Sequence, residues 1–279
     1  MAVRIVADST SDLPPAVVEE LGITIVPANV VIDDVNYRDG VDLTPDDFYS
    51  RLVSGTALPT TSQPSVGAFQ TAYQELLDQG HELVSIHVSG KLSGTVNSAT
   101  QARASLGEDP PIEIIDSQAA SIAVALVAIE AAELARQSMS REEIAERVRG
   151  TLSRTFAAFA VDTLEYLQKG GRIGKAQAFV GSLLSVKPIL TLMDGEVHPL
   201  ERPRNHQRAM RRLVELVSEK APASRLGVIY STEQEWAAEL CDSLSDLLPR
   251  EQIVTARFGP ALGTYVGPRA VGVAIVSEG

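Results

Sequence analysis

With 279 residues, 44% of them hydrophobic and 22% charged, the chain has the composition of a folded globular protein of about two domains, which excludes a disordered polypeptide. Its 24 Lys and Arg against 36 Asp and Glu leave a net charge of −12, a field that repels phosphate backbones and argues against a nucleic-acid partner. The one cysteine, Cys241, allows neither an internal disulfide nor a cysteine-based zinc site and suits a reducing compartment.

No targeting segment is legible: the apolar run before Asp8 is too short for a signal sequence. Residues 3–7 read as a buried strand, and 14–21 as a helix stopped by Gly22. The β-branched run 23–32 reads as a strand, and the polar residues 33–40 as a small hairpin excursion. Thr44, three residues before Asp47, has the pattern of an N-cap for a helix ending at Gly55. Ser65 caps another that stops at Gly80. Residues 83–88 and 112–115 are two more short strands, each followed by a polar loop and a helix. This alternation predicts a mainly parallel sheet covered on both faces. The apolar run 122–129 is closed by Glu130 and Glu133, too soon to span a bilayer, so no stable membrane insertion is expected and the setting is cytoplasmic.

Ser140 and Glu143 form a capping-box pattern. The small residues around 150–155 place a boundary between an N-terminal α/β domain, 1–153, and a C-terminal one, 154–279. Beyond it, Asp194-Gly195 between the runs 186–192 and 196–200 is a hairpin signal, so the second sheet is expected to be mixed. A helix over 205–220, a strand over 226–230, a helix over 235–248 and strands over 253–256 and 270–276 continue the alternation. The predicted fold class is α/β, with two α/β domains.

In open α/β sheets, ligands bind beyond the carboxyl ends of strands, where loops lead into helix N-termini. Four such segments are rich in hydroxyls: Asp8-Ser9-Thr10-Ser11, Thr60-Thr61-Ser62-Gln63-Pro64-Ser65, Ser89-Gly90-Lys91-Leu92-Ser93-Gly94-Thr95, and Asp116-Ser117. Converging on one crevice, they would suit a small carboxylate or phosphate; taken singly, each is more ordinarily a helix cap. Enzyme templates fail. Ser85 stands where the first glycine of a phosphate-binding loop ending at Lys91 belongs, and Gly90-Lys91-Leu92-Ser93-Gly94 misplaces the serine of a nucleophile elbow by one. His81, His87, His198 and His206 lack metal-ligand spacing, His87 reads as structural, and no catalytic base is evident.

Lys169-Gly170-Gly171-Arg172-Ile173-Gly174-Lys175 is basic, read either as a turn between two helices or as a contact for an anion or acidic partner. Arg202, Arg204, Arg208, Arg211 and Arg212 make a second basic patch. Four-residue spacing stacks Arg204, Arg208 and Arg212 on one helix face, which is unfavourable in isolation and leaves a binding role open beside a solvated face. Residues 259–269 read as a glycine/proline loop, where Tyr265 offers a hydroxyl to a ligand or simply packs on the core.

At these segments the sequence resembles the DegV family of bacterial lipid-binding proteins, which includes the fatty-acid-binding subunits of fatty acid kinases. The likeness spans the chain: Asp8-Ser9-Thr10, Thr61-Ser62-Gln63-Pro64-Ser65, Leu92-Ser93-Gly94-Thr95 with Asn97-Ser98-Ala99, Asp116-Ser117, Gly170-Gly171-Arg172-Ile173, Lys187-Pro188-Ile189-Leu190 and the C-terminal Gly-Pro loop. The resemblance implies one long-chain fatty acid between the two domains, its carboxylate held by the Thr61 and Ser93 hydroxyls. Ser62, Gly94, Thr95, Arg204 and Tyr265 complete the implied binding set, and Arg172, in the Gly-Gly-Arg-Ile turn, resembles a kinase-docking element. Positive charge concentrated on an acidic chain adds Arg208 and Arg212 as candidate docking residues. The chain would be a carrier for phospholipid metabolism, without catalytic residues, metal or cofactor. A separate fatty acid kinase catalytic subunit would make the acyl phosphate. Two positions depart from the family: Tyr265 stands where a histidine is frequent, and Gly267-Pro268-Arg269 where Gly-Pro-Gly is usual. The competing expectations are an enzyme acting on a small carboxylated or phosphorylated substrate in the same crevice, and a regulatory lipid sensor.

Overall fold

The computed structural model describes residues 2–55, 58–181 and 186–279. The first half runs β1 (Val3–Asp8), α1 (Pro15–Leu21), β2 (Thr24–Val26), β3 (Asn29–Ile32), β4 (Val35–Arg38), α2 (Pro45–Ser54), β5 (Thr60–Ser62), α3 (Val66–Asp78), β6 (Glu82–His87), α4 (Thr95–Ser105), β7 (Ile112–Asp116), α5 (Ile122–Arg136) and α6 (Arg141–Leu152). The second runs β8 (Thr155–Ala160), α7 (Glu165–Lys169), β9 (Ile189–Met193), β10 (Glu196–Glu201), α8 (His206–Ser218), β11 (Ala223–Tyr230), α9 (Gln234–Leu244), β12 (Ile253–Arg257), α10 (Pro260–Val266) and β13 (Val271–Ser277).

Local chemistry sets most of these bounds. Thr44 and Ser65 accept the backbone N–H groups of Asp47 and Ala68, and Ser140 and Glu143 close a full capping box. Asp194 and Gly195 turn with φ of 50° and 78°, the left-handed pair that a two-residue hairpin requires between β9 and β10.

The chain forms two α/β domains. In the first, β2-β1-β6-β7 make an all-parallel sheet, beside a small antiparallel β4-β3-β5 sheet. In the second, β10-β9-β8-β13-β11-β12 form a mixed sheet in which only β11 and β12 run parallel. Three local readings change. The run 23–32 is two strands in two sheets, because Pro27 offers no ladder N–H and the amide of Ala28 donates to the Ser9 hydroxyl at 3.0 Å. Thr60–Ser62, expected as loop, is an edge strand with Thr61 registered to Val30. The glycine/proline segment begins as a helix, since Pro260 at the first helical position is already set for it.

The apolar run at the start of α5 is buried on every side because the helix lies between the two sheets. Val124, Val127, Ala128 and Ala131 pack with Ile5, Ala7, Val84 and Ile86 of the parallel sheet. Ile122 and Leu126 face Ile229, Ala274 and Val276 of the mixed one. Gly227 on β11 permits this approach, because a Cβ there would lie 2.4 Å from Ile122 Cγ1. Among the described residues, no helix is long and apolar enough to cross a membrane.

Candidate functional site

The carboxyl ends of β1 and β6, the edge strand β5, helix α10 and the inner face of the mixed sheet enclose one cavity. It is narrow, with about 110 Å³ open to the centres of water molecules. Strand periodicity makes its wall apolar: Ala157 and Phe159 on β8 and Leu192 on β9 turn inward while Ala158 and Ala160 pack on the opposite face. Phe159, Gly272 and Ile229 stand side by side on β8, β13 and β11 and line the cavity, and Gly272 allows its neighbours to close in, since a Cβ there would lie 3.0 Å from Phe159 Cβ and 3.2 Å from Ile229 Cγ2.

Polar groups gather at one part of this wall. The Thr61 hydroxyl is hydrogen-bonded to the Tyr265 hydroxyl, joining β5 to α10 across 204 residues of sequence. The Ser93 and Thr95 hydroxyls are 2.8 Å apart. Each pair holds two O–H protons and uses one in its mutual bond. The second proton of each pair has no acceptor among the described residues. Two pairs therefore present two donors, one for each oxygen of a carboxylate. Arg172 adds positive charge. Its guanidinium lies 5.3 Å from the Tyr265 ring centroid and donates to the carbonyls of Leu92 (3.1 Å) and Gly170 (2.9 Å). Gly170 lets that ring settle, since a Cβ there would fall 2.5 Å from Tyr265 Cδ1.

The structure thus brings Thr61, Ser62, Ser93, Thr95 and Tyr265 to one cavity, with Arg172 lining it as well. Gly94, at the head of α4, borders the adjoining outer groove beside Gln63. Arg204 does not line the cavity. It sits with Arg208 and Arg211 in an open charged groove along α8. Arg212, expected as a docking residue, is held internally by Glu201 (2.7 Å), Glu215 (2.9 Å) and Glu219 (2.9 Å). Those carboxylates relieve the repulsion that the arginine spacing predicted.

Three buried carboxylates lie behind the cavity, of which Asp8 was singled out in the sequence and Asp12 and Asp39 were not. Burial pushes Asp8 up, but the hydrogen bond and charge of His87, with bonds from Thr10 and the Val88 amide, outweigh it and hold Asp8 below its ordinary range. Burial dominates at Asp12, which is pushed well up despite bonds from Ser121 and the Gly259 amide, with Asp39 and Asp8 adding repulsion. Asp39 is pushed up to about 6 by burial, against a bond from Ser9 and one from the Ala261 amide. Asp12 and Asp39 together hold the start of α10, the helix that carries Tyr265. Their signal in sequence is weak, because the partners lie more than 200 residues away.

Asp8, His87 and Ser85 have the connectivity of a nucleophile triad, with His87 Nδ1 3.0 Å from Asp8 and Nε2 2.7 Å from Ser85 Oγ. All three are fully buried, however, and the Ser85 hydroxyl faces Tyr73 at 2.8 Å rather than the cavity. The chain of bonds stiffens the floor under Thr10. Among the described residues, no group of three or more His, Cys, Asp or Glu is placed to hold a metal ion.

Comparison with known proteins agrees with this architecture. A DegV domain-containing protein of Halalkalibacterium halodurans is 37% identical over 275 residues, covering 97% of each chain. The structure of a DegV family protein from Thermus thermophilus, described for its fatty acid binding, superposes with a TM-score of 0.92 at 35% identity and full coverage of both chains. A stearic-acid-binding protein from Eubacterium ventriosum superposes with a TM-score of 0.91 at 27% identity over 98% of each chain. The family model described as "Uncharacterised protein, DegV family" matches residues 2–278, and the chain belongs to the DegV family.

Proposed function

We propose that this protein is a cytoplasmic carrier for a long-chain fatty acid. The observation that carries this reading is the pair of unaccepted hydroxyl protons, one from Thr61–Tyr265 and one from Ser93–Thr95, at the polar part of an otherwise apolar cavity. The carboxylate lies between these pairs, with Arg172 supplying positive charge nearby. The acyl chain runs along the apolar wall of Phe159, Gly272 and Ile229, between the domains 1–153 and 154–279.

The energetics are asymmetric. About ten buried methylenes at ~0.8 kcal/mol each contribute on the order of 8 kcal/mol of transfer free energy, part of which association opposes. The hydroxyls fix orientation, because a buried carboxylate without donors is costly. The bound acid is then offered to a separate fatty acid kinase subunit, which docks at Arg172 and the exposed Arg208 and forms the acyl phosphate. Supporting this reading, the bonds of Arg172 to the carbonyls of Leu92 and Gly170 hold its guanidinium beside the Tyr265 ring, next to the hydroxyl pairs.

Denaturing mass spectrometry of an organic extract tests the ligand. Stoichiometric long-chain fatty acid in protein purified from a bacterial host is the expected result. Lipid-free protein that also fails to bind added palmitic acid would refute the reading.

A further inference from the structure

Two other hydroxyls line the same cavity, and their protons are committed differently. Thr10 is 9% exposed and Ser121 7%, and they are neighbours, since the Ser121 amide donates to the Thr10 carbonyl at 2.9 Å. The Thr10 hydroxyl donates to Asp8, a carboxylate that also accepts from the Thr10 and Val88 amides and from the His87 ring. With its proton held there, Thr10 Oγ1 presents only lone pairs to the cavity. A carboxylate or ketone oxygen placed against it would be repelled.

Ser121 donates its hydroxyl proton to Asp12 Oδ2 over a 2.6 Å bond, and the Gly259 amide donates to Asp12 Oδ1. With its proton held there, Ser121 Oγ also offers only lone pairs. Ser121 also holds φ at 59°, a conformation that disfavours a side chain, and its hydroxyl does not cap the helix that it begins. Both features place the hydroxyl in the wall at a conformational cost.

Two acceptors side by side, away from the paired hydroxyls of the polar part, call for a donor on the ligand. An alcohol between them donates its proton to the pair; a methylene cannot. We propose that the Thr10–Ser121 pair is a recognition site for a hydroxyl group on the acyl chain, so that the protein binds a chain-hydroxylated fatty acid more tightly than the plain acid. This rests on the carrier reading above and specifies its ligand class.

The test is isothermal titration of palmitic acid and a positional series of monohydroxypalmitic acids, read as the affinity ratio of each isomer to palmitic acid. One isomer should bind about three- to tenfold tighter than palmitic acid, the range of one or two neutral hydrogen bonds. That advantage should vanish in Thr10→Val and in Ser121→Gly. The glycine suits the φ of 59° and keeps the test decisive if Thr10→Val does not fold. Palmitic acid binding with no favoured isomer overturns this proposal while sparing the carrier reading. An advantage that survives in Ser121→Gly also overturns it. Failure of palmitic acid and every isomer to bind overturns the carrier reading itself.

Discussion

The shared-proton arrangement at Thr61 and Tyr265 predicts a specific failure of additivity. In the wild type one of the two protons is locked in the mutual bond, and on the proposed function the other serves the ligand. Tyr265→Phe removes one oxygen and one proton, but frees the Thr61 proton; Thr61→Val frees the Tyr265 proton in the same way. Each single variant therefore keeps one donor and should lose less than about fivefold in affinity for palmitic acid. The double variant keeps none. It loses a bond to a charged group, roughly 1.5–3 kcal/mol, or about 10- to 150-fold. Isothermal titration on the four proteins closes a double-mutant cycle, with circular dichroism as a check that the fold persists. If Thr61→Val alone shows the whole loss and Tyr265→Phe none, Thr61 is the sole donor and the proton count is wrong. A double variant that binds like the wild type places the carboxylate elsewhere.

The remaining predictions address the periphery and the core. Arg208→Glu, on the exposed face of α8, should weaken kinase-dependent acyl-phosphate formation and its salt dependence while palmitic acid binding persists; unchanged coupling would make this face ordinary solvated surface. Asp39 has its folded pKa raised from 3.8 to about 6, so its contribution is fully present below 3.8 and is lost as pH rises through 6. Urea titration should accordingly show Asp39→Asn gaining about 1 kcal/mol less than the wild type when pH falls from about 7 to 5, and equal gains would refute the assignment. Gly227→Val forces a Cβ into Ile122 and should cost about 1–3 kcal/mol, visible as a lowered Tm; an unchanged Tm would mean that α5 shifts freely.

Features set by neighbouring residues were legible in the sequence. The caps at Thr44, Ser65 and Ser140, the Asp194-Gly195 hairpin and the parallel-then-mixed order of strands all depend on residues a few positions apart. The hydroxyl-rich segments were legible as a set, whereas the partnering of Thr61 with Tyr265 was not, because no local pattern links positions 204 apart. The arginines show the same limit. Spacing alone put Arg212 in a repulsive stripe, but Glu201 on β10 reaches it from another element. Proline chemistry misled twice in opposite directions, breaking a strand at Pro27 and starting a helix at Pro260. The run 122–129 gave hydrophobicity without direction, as expected of a helix with no solvent face.

That helix has a consequence for how the protein comes apart. By sequence α5 belongs to the N-terminal domain, yet Ile122 and Leu126 complete the interior of the mixed sheet. A fragment beginning near 154 would carry Gly227, Ile229 and Ala274 on a face open to water, and a fragment ending there would leave half of α5 bare. Each piece would keep the core on the outer face of its own sheet, but neither could close the face that α5 covers. Each half should therefore lose stability when separated, and the cavity, built against the same seam from residues of both halves, cannot be formed by either alone.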